Sequence, residues 1–314
     1  MQGSSKVSKT KFCAGISDIS DGYSGFIIDQ WGVLHDGVKA YDGVINCLTE
    51  LKERHKYIII LSNSGKRAQT NADRLSELGI TSDLYDGIIT SGEVTWQGLD
   101  EQSEGYFKDI GKKCVLISRG GDRTIVDGLD IEVVENPKNA DFLIISGSDA
   151  PDKILEDYEP LLKESARYNL KAICANPDSL GIMGGQNIMG PGTIAARYKD
   201  FGGIVEYIGK PHQPIYQHCI RLLQKEDIYP GQTVMVGDTM AHDILGGSLA
   251  NIDTCLVKRG VHSSVFGDSE DLAETDRALN ILVRQYNGVR PNYLVDDMVW
   301  GKALPDRKHK RRDK

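Results

Sequence analysis

Residues 26–37 read FIIDQWGVLHDG, an apolar run that stops at Asp29 and is followed three residues later by Gly32. An unbroken apolar run of this kind suits a strand of a parallel sheet covered on both faces. Open α/β sheets gather their ligands just beyond the carboxyl ends of such strands. Asp29 therefore stands where a site is expected.

Working outward, Val44, Cys47, Leu48 and Leu51 fall on one face of a helix over 43–54, and Tyr57-Ile58-Ile59-Ile60-Leu61 reads as a second buried strand. A helix over 67–78 closes at Gly79. Further strands are expected near 114–117, 142–146, 171–175 and 204–207, with a helix over 193–200 and another starting at Pro214. Residues 233–237 and 253–257 are two more buried strands. Asp271–Tyr286 is a helix and 291–295 a closing strand. Alternating strands and helices imply right-handed parallel crossovers and an α/β, Rossmann-like fold.

The chain has 314 residues, 40% of them hydrophobic, enough for one large core or two ordinary ones. No apolar stretch approaches the roughly 18–20 residues that span a bilayer, and the start MQGSSKVSKTKF lacks the apolar segment of a secretion signal. Six cysteines without a CxxC pair suit reduced thiols in a cytoplasmic protein. The net charge is −8, and the terminal block 307–314, RKHKRRDK, contributes +5, so the remainder is strongly acidic. A nucleic-acid partner would need a basic face on the folded part, and the basic tail reads as a solvated, disordered end. The sequence leaves a homo-oligomer open.

Four polar positions each follow a predicted strand: Asp29, Ser62-Asn63, Lys210, and Asp238 with Asp243. Singly, each has an ordinary explanation as a cap or a turn. Together, FIIDQWGVLHDG, IIILSNSGKR (58–67), YIGKPHQPIY (207–216) and VMVGDTMAHD (234–243) resemble the four motifs of the haloacid dehalogenase-type (HAD) phosphohydrolases, and most closely their class II-A branch. Residues 175–198, ANPDSLGIMGGQNIMGPGTIAARY, are similar to the late cap segment of that branch. The resemblance implies a discontinuous catalytic core over 1–84 and 206–306, an inserted α/β cap of type C2 over 85–205, and TSGEVTWQGL (90–99) at the passage between them.

It also implies roles. Asp29 would be the nucleophile of a Mg²⁺-dependent phosphatase acting on a small phosphorylated metabolite through an aspartyl-phosphate. Asp29, Asp238 and the backbone carbonyl of Trp31 would hold the cation, with Asp243 supporting it. Ser62 and the amides of Asn63 and Ser64 would receive the phosphoryl group, and Lys210 would balance charge. Lys66, Arg67, Arg119, Arg123 and Arg197 are further basic candidates for the substrate. The glycines 181, 184, 185, 190 and 192 lack the Lys-Ser/Thr of a nucleotide-binding loop and read as a cap loop.

One departure matters. The family's Asp-x-Asp-Gly is here Asp29-Gln30-Trp31-Gly32. The second carboxylate, which protonates the leaving group, is replaced by an indole that cannot shuttle protons near neutral pH. General acids contribute about 10²–10⁴ in rate. Three explanations are open: His35 or Asp36 takes over, the substrate has a good leaving group, or the chain is a weakly catalytic phosphometabolite-binding or regulatory protein. Trp31 itself reads equally as packing or as a stacking face. A nicotinamide oxidoreductase is disfavoured because no GxGxxG follows the first strand.

Overall fold

The computed structural model describes residues 9–183, 186–267 and 271–301. The basic block 307–314 and Gly184 and Gly185 lie outside the described residues.

Seven parallel strands form the larger sheet, in the order Lys11–Phe12, Tyr293–Val295, Asp253–Val257, Thr233–Gly237, Gly25–Asp29, Tyr57–Ser62, Gly87–Thr90. The apolar runs read from the sequence are its central strands, buried on both faces. Ile28, Ile60 and Val236 pack to one side, while Ile27, Ile59, Leu61 and Met235 pack to the other. Burial of each such side chain contributes about 1.5–3 kcal/mol, so the central strands dominate the core. From Gly25–Asp29 the chain winds one way through Tyr57–Ser62 to Gly87–Thr90. It returns on the other side through Thr233–Gly237, so the winding reverses between the strands that end at Asp29 and Gly237. Val236 is in register with Ile28, which brings Asp29 and Asp238 side by side at the crevice.

A smaller parallel sheet has the order Ile204–Tyr207, Lys171–Cys174, Phe142–Ile145, Lys113–Ile117, Glu132–Val133. The helices Leu155–Arg167 and Pro191–Asp200 belong to it, and a two-stranded hairpin, Leu180–Met183 with Gln186–Met189, extends from it. Strand Gly87–Thr90 lies in the larger sheet and Ile204–Tyr207 in the smaller one. The chain thus passes from one sheet to the other beyond Thr90 and returns beyond Tyr207.

Helix Ser91–Glu101, capped by Thr90 Oγ1 accepting from the Glu93 amide, lies beside helix Gln213–Gln224. A single apolar cluster runs from Ile59 and Met235 of the larger sheet through Val94 and Ile215 of these helices to Phe142 and Ile144 of the smaller sheet. Cys13, Cys47, Cys114, Cys174, Cys219 and Cys255 are all free, and all but Cys13 are buried. Among the described residues no helix is long and apolar enough to cross a membrane.

Candidate active site

Three of the four motifs supply the carboxylates and the lysine of one buried cluster. Asp29 ends its strand, Asp238 follows Gly237, and Asp243 sits on the wide turn Met240–Ile244 before helix Leu245–Leu249. Oxygens of Asp29, Asp238 and Asp243 lie within 4.8 Å of one another, and all three residues are buried. Lys210 enters from the segment before helix Gln213–Gln224. Its Nζ donates to Asp29 Oδ1 and, at 2.7 Å, to Asp243 Oδ1. Lys210 is only 3% exposed, so this ammonium is held by the two carboxylates and not by water.

The backbone around the acids is crowded. A Cβ on Gly32 would lie 2.2 Å from Asp238 Oδ2, and one on Gly260 would lie 2.0 Å from the same oxygen. Both glycines have positive φ, +80° and +94°. Asp238 Oδ2 accepts from the Val261 amide at 2.8 Å. The Thr239 amide and hydroxyl donate to Asp243 Oδ2 at 3.0 and 2.6 Å. Both oxygens of Asp243 are therefore committed, to Lys210 and Thr239.

Electrostatics follow from burial. Desolvation pushes the Asp29 carboxyl up, an effect that Lys210 only partly offsets. Asp238 is raised to about 7 by burial and by the charge of Asp243. Burial alone would lower Lys210, but Asp243 and Asp29 hold it protonated above its ordinary value. Three carboxylates around one ammonium leave excess negative charge. Asp29 and Asp238 each keep one oxygen outside the lysine pair and the Val261 bond. Hard oxygen donors in that number fit Mg²⁺, which typically takes one or two protein carboxylates.

The second motif adjoins the cluster. Ser62 is buried, and its Oγ accepts from the Ser64 amide at 3.2 Å. Asn63 turns its side chain towards Lys210: Oδ1 accepts from the Lys210 amide at 2.7 Å and Nδ2 donates to the Lys210 carbonyl at 3.2 Å. Nδ2 also donates to Asp178 Oδ1 at 2.8 Å, from the loop after strand Lys171–Cys174 of the smaller sheet.

The indole of Trp31 is 40% exposed, edge-on to the His35 ring with centroids 4.9 Å apart. Gly37 lies directly against it, since a Cβ there would be 2.2 Å from the ring. His35 is fully buried. Its Nδ1 accepts from the Gly37 amide at 2.9 Å, which puts the proton on Nε2, and Nε2 has no hydrogen-bond partner. Burial, then Arg74, lowers its pKa to about 4. Neither ring nitrogen is bonded to Asp29 or Lys210. Asp36 is exposed and caps a turn, accepting from the Val38 and Lys39 amides at 2.8 and 2.9 Å.

Two of the expected basic groups are engaged elsewhere. Arg67 pairs with Glu93 at 2.7 Å and lies over the Trp96 ring, and Arg197 pairs with Glu159 at 3.0 Å. Asp178, Thr239 and Gly260 were not singled out from the sequence. The first had a visible signal, an Asn-Pro-Asp turn directly after a predicted strand.

Models described as haloacid dehalogenase-like hydrolase match residues 26–132 and 97–251, and a HAD-hydrolase-like model matches 207–298. The chain is 25% identical over 248 residues to the 5'-nucleotidase YutF of Bacillus subtilis, covering 76% of this chain and 88% of that protein. It is 28% identical over 246 residues to the ribonucleotide monophosphatase NagD of Escherichia coli, with the same coverage. A haloacid dehalogenase-like hydrolase structure from Brucella suis superposes with a TM-score of 0.74 at 27% identity, covering 91% of this chain and 99% of that one. With three such models tiling 26–298, and Asp29, Lys210, Asp238 and Asp243 gathered at the reversal of a parallel sheet, the chain belongs to the haloacid dehalogenase-like hydrolases.

Proposed function

We propose that this protein is a cytoplasmic, Mg²⁺-dependent phosphohydrolase of a small phosphorylated metabolite, with the larger sheet as catalytic core and the smaller sheet as cap. The observation that carries the reading is the buried Lys210 ammonium shared by Asp29 and Asp243 beside Asp238. Asp29 is the nucleophile: its carboxylate attacks phosphorus, the ester oxygen leaves, and water then releases phosphate from the aspartyl group. Asp29, Asp238 and the Trp31 carbonyl would hold Mg²⁺, which supplies charge neutralisation between carboxylate and phosphate. Lys210 neutralises the charge that builds on the phosphoryl oxygens, and Asp243 with Thr239 keeps the lysine aimed. Ser62 and the amides of Asn63 and Ser64 receive the phosphoryl group; the Ser64 amide exchanges its bond to Ser62 Oγ for the substrate.

His35 and Asp36 are both engaged in local backbone bonds, which supports a leaving group that departs with little protonation. Acyl and aryl phosphates and phosphoanhydrides meet that requirement. Because two relatives bear names of nucleotide phosphatases, nucleoside monophosphates belong in the same panel. Initial rates with Mg²⁺ on acyl, aryl and alkyl phosphates test the reading. Rates should fall steeply from acyl to alkyl esters, and Asp29→Asn should abolish turnover. Turnover that survives Asp29→Asn refutes the nucleophile, and equal rates across the series refute the missing-acid argument. Phosphate-ester binding without turnover on any of them favours the regulatory reading.

A further inference from the structure

We infer that Asp178 is a positioning residue for Lys210, acting through Asn63, so that the lysine is seated for its ion pairs only while the smaller sheet's loop rests on the larger sheet. The inference builds on the role given to Lys210 under the proposed function. An asparagine amide has one acceptor end and one donor end, and rotation by half a turn exchanges them. Asn63 Oδ1 accepts the Lys210 amide and Nδ2 donates to the Lys210 carbonyl, a two-point clamp on the peptide that carries the lysine. The second N–H of Nδ2 goes to Asp178 Oδ1 at 2.8 Å. A carboxylate only accepts, so a flipped amide would face oxygen against oxygen at Asp178 and lose both clamp bonds at Lys210. The carboxylate thereby selects the clamping orientation.

The loop that presents Asp178 is itself held firmly. The Asp178 amide donates to Asn176 Oδ1 at 3.0 Å, and the Gly192 amide donates to the Asp178 carbonyl at 3.0 Å. Three glycines permit this approach. A Cβ at Gly190 would lie 2.1 Å from the Asp178 carbonyl oxygen, and one at Gly192 would lie 2.1 Å from that of Pro177. At Gly209 it would meet Pro177 at 2.5 Å and Asn63 Oδ1 at 2.6 Å. A second contact reinforces the seat, because a Cβ on Gly65 of the Ser62–Lys66 loop would lie 2.2 Å from the Ser146 carbonyl of the smaller sheet. Lifting the smaller sheet therefore withdraws the Asp178 acceptor, frees Asn63 to rotate, and loosens Lys210. Lys210 is then competent only when the site is covered.

The test compares Asp178→Ala, Asp178→Asn, Asn63→Ala and the Asp178→Ala/Asn63→Ala pair on whichever phosphate ester the protein turns over best. Asp178→Ala should lower kcat about tenfold with KM within about twofold, since a misplaced group loses transition-state rather than ground-state interaction. Asp178→Asn, which keeps an acceptor, should restore most of the rate. In the Asn63→Ala background Asp178→Ala should cost less than about twofold more, because the two act on one path. Multiplicative losses in the pair, or an unchanged kcat in Asp178→Ala, overturn the inference. A readout independent of turnover separates it from the proposed function: amide hydrogen exchange across residues 207–213 should accelerate in Asp178→Ala. Unchanged exchange sinks the positioning role, whereas faster exchange in a protein whose turnover ignores Asp29→Asn sinks only the phosphatase reading.

Discussion

Replacing Lys210 by methionine keeps the length of the side chain and removes its charge. The ammonium is 2.7 Å from Asp243 Oδ1 and closer still to Asp29 Oδ1, and the side chains concerned are 4%, 0% and 10% exposed. Removing one member of a buried ion pair costs about 3–5 kcal/mol, mostly through the partner left without compensation. Here two carboxylates lose the same cation while Asp238 stands beside them, which puts Lys210→Met at the upper part of that range. Against a total stability of about 5–15 kcal/mol the loss is large. Urea unfolding followed by tryptophan fluorescence measures it directly.

The companion variant Asp29→Asn/Lys210→Met removes one stranded charge along with the lysine. It should recover about 1–3 kcal/mol relative to additive behaviour, the coupling expected of groups in one network. Magnesium chloride should raise the melting temperature of Lys210→Met more than that of the parent, because a cation that binds only the folded state stabilises it by mass action. A cost below about 1 kcal/mol, or strict additivity in the double variant, would falsify the picture of a lysine that neutralises the acid cluster.

Under the proposed function, Trp31→Asp supplies the carboxylate that would protonate the leaving group; alkyl-phosphate rates should rise at least about tenfold while aryl rates change little, and the absence of a rise would show that protonation does not limit turnover. Gly260→Ala inserts a methyl 2.0 Å from Asp238 Oδ2 at a φ of +94°. It should cut kcat about 100-fold with circular dichroism unchanged, and a fully active variant would mean that Asp238 need not sit where it does. Burial, then Arg221 and Lys225, lowers His218 to about 4 from an ordinary 6.5. Above 6.5 neither state binds the proton; between 6.5 and 4 the unfolded chain takes it and the folded one does not, so stability falls as pH drops, by on the order of 2 kcal/mol. His218→Gln should flatten that slope in urea titrations at pH 7, 6 and 5, and an identical slope would assign the dependence to other groups.

Much of the fold was legible because buried parallel strands announce themselves as unbroken apolar runs. Asp29, Ser62 and Asp238 could be placed at strand ends from residue order alone, and the structure brings Asp29 and Asp238 together through the register of Val236 with Ile28. Less regular elements escaped. Gly87–Thr90 is only four residues long and half-exposed at one end, so its pairing with Ile59–Ser62 leaves no periodic trace. Helix Leu155–Arg167 carries Pro160 in its second turn, which masks its pattern. His35 is an acid candidate by type and position, and residue order does not report its complete burial. Arg67 illustrates the same limit, since its capture by Glu93 requires knowing that helix Ser91–Glu101 comes back beside it. Asp178 had a turn signature but no indication of which loop it would meet.

The larger sheet places Lys11–Phe12 beside Tyr293–Val295, so its first and last strands are neighbours although almost the whole chain separates them. During synthesis Asp29 leaves the ribosome more than two hundred residues ahead of Asp238, whereas every strand of the smaller sheet lies between 113 and 207 and can assemble as a unit. Nascent chains therefore carry every strand of the smaller sheet before they carry Asp238. A ribosome that stalls before Thr233 releases a fragment with three strands missing from its main scaffold and without Asp238, a natural client for quality control.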